Sequence, residues 1–272
     1  RTGQLTGGVC SFLDNVYCMK NLKQLHSLLI KPAGPDCNMA CDYCFYLEKK
    51  NYFSSAPVQR MTVKMLKNMI RQAVTQSPGH ISFSWQGGEP TLMGLDFFKQ
   101  AVNFQQQLGK NQHISNGFQT NGLLINRDWA DFLAEYKFLV GLSLDGPAHI
   151  HNRYRKDKAG NGTFEQVKKN IHLLLSRHTE VNALVVVNDY SVKFPEEIYD
   201  FHKKNGITFM QFIPCIEPDI RNPDNLSSFS VNPHDFGIFL QKLFDLWWND
   251  IKGITPRTSV RYFEGLFHCL VG

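Results

Sequence analysis

The sequence predicts an α/β fold built as a partial (β/α)6 barrel, TIM-like in its parallel strands but short of eight units. Three observations predict it. Six short apolar runs recur along the chain, each bounded by turn residues. Amphipathic stretches of helical period lie between them. The chain's unusual glycine-, cysteine- and amide-bearing sequences come directly after the apolar runs. Strand–helix alternation builds βαβ units with parallel strands, and such sheets gather their sites at the C-terminal ends of the strands.

The first strand is read at Ser27–Lys31, stopped by Pro32 and Gly34. Those that follow fall at Ile81–Trp85, His113–Gln119, Phe138–Leu144, Val181–Val187 and Thr208–Ile213. Helical patterns run over Thr62–Thr75, Leu95–Leu108, Arg127–Glu135, Thr163–Arg177 and Pro195–Lys204. Residues 214–233 are rich in Pro, Asn and Ser and read as a loop. His234–Ile251 reads as a further amphipathic helix, with Trp247 and Trp248 near its end. Three regions follow: a poorly patterned extension at 1–25, a core at 26–233, and a helical segment at 234–272.

The 272 residues suffice for one large domain, and 43% apolar with 19% charged residues is the balance of a globular chain with a substantial core. A net charge of +5 from scattered basic residues does not call for a nucleic-acid partner. No apolar run reaches the length of a membrane span, and the first residues lack the pattern of a signal peptide. Seven cysteines are too few for a disulfide scaffold in a chain this long, and their odd number favours reduced thiols in a cytoplasmic setting.

Three of those cysteines form the run Cys37-x3-Cys41-x2-Cys44 just after the first strand. Three thiolates on one short loop can hold three irons of a cubane [4Fe–4S] cluster and leave the fourth iron open to a chelating molecule. Zinc is the competing guest, but a structural zinc site takes four ligands and no second cysteine pair lies at finger-like spacing.

The second strand runs into Gln86-Gly87-Gly88-Glu89-Pro90. Paired glycines at a strand end let a ligand come close to the backbone, and Glu89 can hold a ligand ammonium group. Read alone, the segment is a tight turn with a solvated glutamate; beside the cysteine run the ligand reading prevails. Gln119-Thr-Asn121-Gly122 ends the third strand and Ser143-Leu-Asp145-Gly-Pro147 the fourth, which places Gln119, Asn121, Ser143 and Asp145 near one mouth. Asp145 before Gly-Pro is also an ordinary turn former. Arg155 can bind a carboxylate in bidentate fashion, although Arg153 and Arg155 taken alone read as surface charge.

Cys37-x3-Cys41-x2-Cys44, with Tyr43 before the last cysteine, resembles the signature of radical S-adenosylmethionine (SAM) enzymes. The wider set is more specific: Leu29-Ile-Lys-Pro32, Cys44-Phe-Tyr46, Gln86–Leu92, Gln119–Gly122, Phe138–Pro147 and Met210-Gln-Phe-Ile213. Over residues 27–265 it resembles the anaerobic sulfatase-maturating enzymes, which generate formylglycine.

The resemblance implies a radical SAM barrel whose cluster is ligated by Cys37, Cys41 and Cys44, with SAM on the open iron. It places Gly87, Gly88 and Glu89 around the SAM amino group and Ser143 and Arg155 at its polar groups. Tyr43 and the backbone near Ile216 come against the adenine. It implies one-electron cleavage of SAM to methionine and a 5′-deoxyadenosyl radical, which takes hydrogen from Cβ of a cysteine or serine in a sulfatase polypeptide. A low-potential electron donor is the second partner. Other peptide modifiers that form thioether or carbon–carbon crosslinks share this core, and a cluster- or zinc-binding scaffold without catalysis is the non-enzymatic alternative.

The resemblance also implies a further cysteine-rich domain with two auxiliary clusters and an aspartate base, none of which this sequence contains. Cys215 reads as a small buried residue and Cys269 as part of an apolar terminal segment that stops without a helix cap. The chain is therefore expected to be a truncated core that carries a single cluster, and Cys10 and Cys18 are given no metal role.

Overall fold

The structure is a computed structural model that describes residues 24–46, 60–219, 222, 224–251 and 258–271. The extension at 1–25, with Cys10 and Cys18, lies outside the described residues up to Lys23. Seven strands form a single parallel sheet in sequence order: β1 (Ser27–Ile30), β2 (His80–Trp85), β3 (His113–Thr120), β4 (Leu139–Ser143), β5 (Glu180–Val187), β6 (Phe209–Pro214) and β7 (Ser259–Val260). The crossovers carry α1 (Val63–Gln76), α2 (Leu95–Leu108), α3 (Arg127–Glu135), α4 (Ala148–Tyr154), α5 (Phe164–Ser176), α6 (Pro195–Lys204) and α7 (Pro233–Ile251), and α8 (Arg261–Val271) follows β7. This is the open α/β barrel expected from the alternation, with the strand count corrected from six to seven.

The extra strand is too short to show a period. It is placed by pairing, Phe209 with Ser259 and Met210 with Val260, and by the complete burial of Val260. The indole N–H of Trp247 donates to the Thr258 carbonyl at 3.1 Å, and the Tyr199 hydroxyl donates to Asp250 at 2.7 Å. These bonds pin α7 to α6 and to the entry of β7. The terminal apolar segment forms α8, in keeping with the helical segment read at 234–272, and Cys269 is exposed on it.

Two helices begin where a side chain satisfies one of the first free N–H groups. Thr62 caps α1 by accepting from Met65 N, and Asn126 caps α3 by accepting from Trp129 N. Strand residues alternate between two environments. Ile81, Phe83, Trp85, Phe118, Val140, Leu142 and Val185 are buried against the helices. Trp85, Phe97, Phe98, Phe118 and Trp129 meet ring to ring at centroid distances of 5.0–6.4 Å. Fully burying such a side chain contributes roughly 1.5–3 kcal/mol, so this wall of rings fixes which face of the sheet looks outward.

The opposite face carries Ser82, Ser84, Gly117, Gln119, Gly141, Ser143, Asn182 and Gln211. A closed barrel fills its interior with bulky branched side chains. Here these small and polar residues share the face with Leu29, Leu184 and Val186, and none of the eight is buried. The lumen is therefore left as space rather than core. Among the described residues no helix is long and apolar enough to cross a membrane.

Candidate active site

The cysteine loop leaves β1 through two tight turns, with Gly34 N bonded to Lys31 O at 3.0 Å and Asp36 N to Ala33 O at 3.1 Å. It then lies on the turn after β2. Gly88 N donates to Gly34 O and Glu89 N to Asp36 O, both at 2.8 Å. A Cβ on Gly88 would stand 2.0 Å from the Asp36 carbonyl oxygen. The sequence reading gave this glycine pair to a ligand's approach. At Gly88 the close approach is made by the chain's own cysteine loop.

On its other side the loop pairs with residues 154–157. Ala40 N donates to Lys156 O at 2.9 Å and Asp42 N to Tyr154 O at 3.1 Å, and Met39 forms an antiparallel bridge with Asp157. Cys37, Cys41 and Cys44 are free thiols, Cys41 buried and the other two half-buried. Met39, Cys41, Tyr43 and Cys215 make a small apolar cluster separate from the main core. Cys37, Cys44, Leu123, Tyr154, Val186 and Phe229 pack against it.

Burial pushes the Cys41 thiol up to about 12, with the Arg155 guanidinium opposing and the Cys44 and Cys37 thiols adding to the rise. Burial raises Cys37 as well, against the Met39 N–H that reaches its sulfur at 3.4 Å. The Asn121 side-chain amide reaches the same sulfur at 3.6 Å. Thiols this dry become thiolates when a cation replaces their protons. Among the described residues no three His, Cys, Asp or Glu side chains converge on a point that could hold one metal ion. A cubane cluster makes no such demand, because it spreads three thiolates over three irons. Soft sulfur donors, an apolar wall and N–H groups aimed at sulfur fit an iron–sulfur cluster.

Glu89 is fully buried, and its carboxylate is saturated by the protein. Oε1 accepts from Thr91 N at 3.0 Å, Thr91 Oγ1 at 2.6 Å and Thr120 Oγ1 at 2.8 Å, and Oε2 accepts from Asn121 N at 2.7 Å. Burial raises its carboxyl above the ordinary range despite these donors. The glutamate is not solvated: the side chain ties the end of β2 to the end of β3. Asn121 continues the link by donating to Asn38 Oδ1 at 2.8 Å.

Asp145 and Arg155 form a second buried centre. Arg155 Nε donates to Asp145 Oδ2 at 2.9 Å and Nη2 to Oδ1 at 3.0 Å. Asp145 also accepts from the Tyr43 hydroxyl at 2.6 Å and from Val186 N at 2.9 Å. Burial would raise this carboxyl, but the guanidinium beside it prevails and holds it below the usual range. Arg155, which taken alone read as surface charge, is 6% exposed. The turn-former reading of Asp145 misses its four bonds, although Gly146-Pro147 does make the turn into α4.

The structure brings Cys37, Cys41, Tyr43, Cys44, Gly87, Gly88, Glu89, Asn121, Asp145 and Arg155 into one contiguous network at the C-terminal ends of β1 to β5. Ser143 lies on the lumen face of β4, aligned with Leu184 of β5, and Gln119 lies on the same face, aligned with Gly141. Ile216 is more than half exposed, just past β6. Among the described residues no hydrogen bond ties Ser143 or Ile216 to the cysteine loop. Sequence reasoning missed His151, whose buried ring contacts Asp145 N and Thr163 Oγ1, and Tyr154, whose hydroxyl donates to Asp189 at 2.7 Å. Tyr154 also meets the Tyr43 ring edge-on at 5.9 Å. His151 had one available signal, its place on the buried face of a helix of only seven residues.

Comparison with known proteins agrees with this arrangement. The chain is 41% identical to a cysteine-type anaerobic sulfatase-maturating enzyme of Clostridium novyi (strain NT) over 90% of its own length and 66% of the relative. It is 36% identical to a serine-type anaerobic sulfatase-maturating enzyme of Bacteroides thetaiotaomicron over 83% of its length and 58% of the relative. A solved structure, native anSMEcpe with bound AdoMet and Cp18Cys peptide, superposes with a TM-score of 0.82 at 40% identity, covering 90% of this chain and 66% of that one. The chain thus spans just under two thirds of the length of the curated relatives it matches. The family model described as the radical SAM superfamily matches residues 32–202, a stretch that opens at the turn before the cysteine loop and holds both buried centres, and to that superfamily the chain belongs.

Proposed function

We propose that this chain is the core of a radical SAM enzyme that oxidises a cysteine or serine of a sulfatase polypeptide to formylglycine. The observation that carries the reading is the 41% identity to a cysteine-type sulfatase-maturating enzyme, spread over 90% of the chain. The relative solved with AdoMet and a peptide supports both a SAM site and a peptide substrate.

In this reading Cys37, Cys41 and Cys44 hold a [4Fe–4S] cluster whose fourth iron receives SAM. When bound, cluster and SAM supply one-electron reductive chemistry and a carbon-centred radical strong enough to remove hydrogen from Cβ. The chain's own residues do the rest. The turn Gly87-Gly88-Glu89 lines the SAM amino end through its backbone, with the buried Glu89 charge behind it, because the carboxylate itself is engaged. Ser143 and Arg155 receive SAM polar groups, and Tyr43 and the backbone near Ile216 flank the adenine. Leu123, Val186, Tyr154 and Phe229 keep the loop apolar and would keep water away from a cluster held there. A low-potential donor supplies the electrons.

Anaerobic reconstitution of this chain with iron and sulfide tests the reading. The expected result is iron for one cluster per chain and SAM-dependent formation of 5′-deoxyadenosine under reduction. Addition of a Cys-x-Pro-x-Arg peptide is expected to raise that rate. Iron for two or more clusters would overturn the single-cluster reading. Failure to retain iron, or loading that survives Cys37→Ala unchanged, would overturn the whole assignment.

A further inference from the structure

We infer that Asp145 is a positioning residue that holds the Arg155 guanidinium in one orientation for binding SAM. The inference rests on the SAM reading above. Its observation is one carboxylate, 1% exposed, that joins four separate parts of the chain. Tyr43, between Cys41 and Cys44, donates to it at 2.6 Å. Arg155, at the start of the 154–157 segment that pairs with the cysteine loop, donates twice, at 2.9 and 3.0 Å. Val186 N, on β5, donates at 2.9 Å. Asp145 itself follows β4.

The geometry of the guanidinium shows what this aim accomplishes. Nε and Nη2 are both spent on Asp145, in a fork that fixes the plane of the group. Among the described residues Nη1 makes no hydrogen bond, which leaves it as the amino group free for another acceptor. The Arg155 guanidinium also lies over the Tyr43 ring, 5.5 Å from its centroid. A fork gripped on one edge presents its remaining edge in a single direction, whereas an unpaired arginine sweeps many rotamers. Asp145 thus converts a flexible cation into a fixed one beside Tyr43 and Cys41.

A charge argument runs the other way, which makes the inference testable. Asp145 is negative, so removing its charge would by electrostatics alone strengthen binding of an anionic group at this mouth. Positioning predicts the reverse. The experiment uses anaerobically reconstituted wild type, Asp145→Asn, Arg155→Gln and the double variant. Iron and sulfide per chain are measured, with the SAM dissociation constant read from the SAM-dependent change in the EPR spectrum of the reduced cluster.

Asp145→Asn is expected to load iron to near the wild-type level and to weaken SAM by about ten- to a hundredfold, the range for losing a partner that orients a ligand-binding group. In the Arg155→Gln background the same change is expected to add little, because Asp145 acts through the arginine. Unchanged or tighter SAM binding in Asp145→Asn would overturn the inference. So would a loss of thermal stability and iron with normal SAM affinity in the loaded fraction, since that is the signature of a purely structural residue. Additive effects in the double variant would overturn it as well. Failure of the wild type to load iron or bind SAM would instead sink the functional reading on which it rests.

Discussion

The backbone N–H of Asn121 donates to Oε2 of Glu89 at 2.7 Å, across 32 residues of sequence. That bond joins the turn after β2 to the end of β3, and the Asn121 side chain extends it to Asn38 and to the Cys37 sulfur. The cysteine loop is therefore seated on two charged centres, Glu89 beneath one end and Asp145 beneath the other. Each is a buried carboxylate that gathers donors from several strand ends. The loop owes its shape to them and not to its own short sequence.

Replacing Glu89 by Gln separates geometry from charge. The amide keeps one acceptor, and the three donors on Oε1 claim it. The NH2 group then faces the Asn121 N–H, donor against donor. An unsatisfied buried N–H costs about 1–3 kcal/mol, and relief of the desolvated charge offsets part of it. We expect Glu89→Gln to lose about 1–2 kcal/mol of stability, measured by urea unfolding under reducing conditions. A variant as stable as wild type would show that the bond to Asn121 contributes nothing.

Gly88 and Gly79 make a matched pair. A Cβ at Gly88 meets the Asp36 carbonyl oxygen at 2.0 Å, a backbone atom that cannot swing aside, whereas one at Gly79 meets nothing within 4 Å. Gly88→Ala must push the cysteine loop off its two backbone bonds and is expected to cost about 1–3 kcal/mol or more, as overpacking does. Gly79→Ala is expected to stay within about 0.5 kcal/mol of wild type. Equal melting temperatures for the two variants would contradict the close packing of these turns.

Six of the helices and six of the strands were legible because their cores are periodic. Trp85 and Phe118 alternate with serine and glycine, and the patterns of α1–α3 and α5–α7 repeat at helical spacing, whereas α4, only seven residues long, was missed. Ser259–Val260 was not legible, because two residues carry no period and their place is set by Phe209 and Met210. The cysteine loop was legible because three thiols at fixed spacing are rare and have few uses. Arg155 taken alone read as surface charge, and only the resemblance gave it a site, because arginines are common and what buries this one is a carboxylate ten residues away, brought round by α4. Glu89 was given to a ligand since nothing in Gly-Gly-Glu-Pro reveals that Thr91, Thr120 and Asn121 already donate to it.

Two buried imidazoles set the acid limit of the fold. Burial lowers His151 to about 3 and His202 to about 4. Both therefore stay neutral in the folded state while the unfolded chain takes up their protons below about pH 6.5. The unfolded state binds more protons in that window, so stability falls as pH drops through it, by up to about 1.4 kcal/mol per pH unit for each histidine. Glu89 opposes this, because its raised carboxyl takes up a proton in the fold first. Among the described residues neither His202 ring nitrogen has a hydrogen-bond partner, so His202→Leu removes orphaned polar atoms and is expected to leave stability near neutral pH unchanged or higher. The decisive comparison is the urea midpoint at about pH 7 and about pH 5. The variant should show a shallower loss than wild type, and an equal loss would mean that His202 does not titrate as its burial requires.

Asn121 offers a redox test of the proposed cluster site. Its amide N–H and the Met39 N–H both point at the Cys37 sulfur, at 3.6 and 3.4 Å. Hydrogen bonds to ligand sulfur draw off electron density and favour the reduced, more negative cluster, so they raise the reduction potential. Asn121→Ala removes one of the two donors while its backbone bond to Glu89 stays available. It also removes the contact with Asn38, so loading must be checked first, by iron and sulfide content. In protein loaded to the wild-type level, the potential should shift to a more negative value in an EPR-monitored titration. SAM cleavage at a fixed, weak reductant strength should slow accordingly, and a stronger reductant should restore it. An unchanged potential in fully loaded Asn121→Ala would place the amide away from the sulfur once the cluster is present, and would leave Met39 as the donor that tunes Cys37.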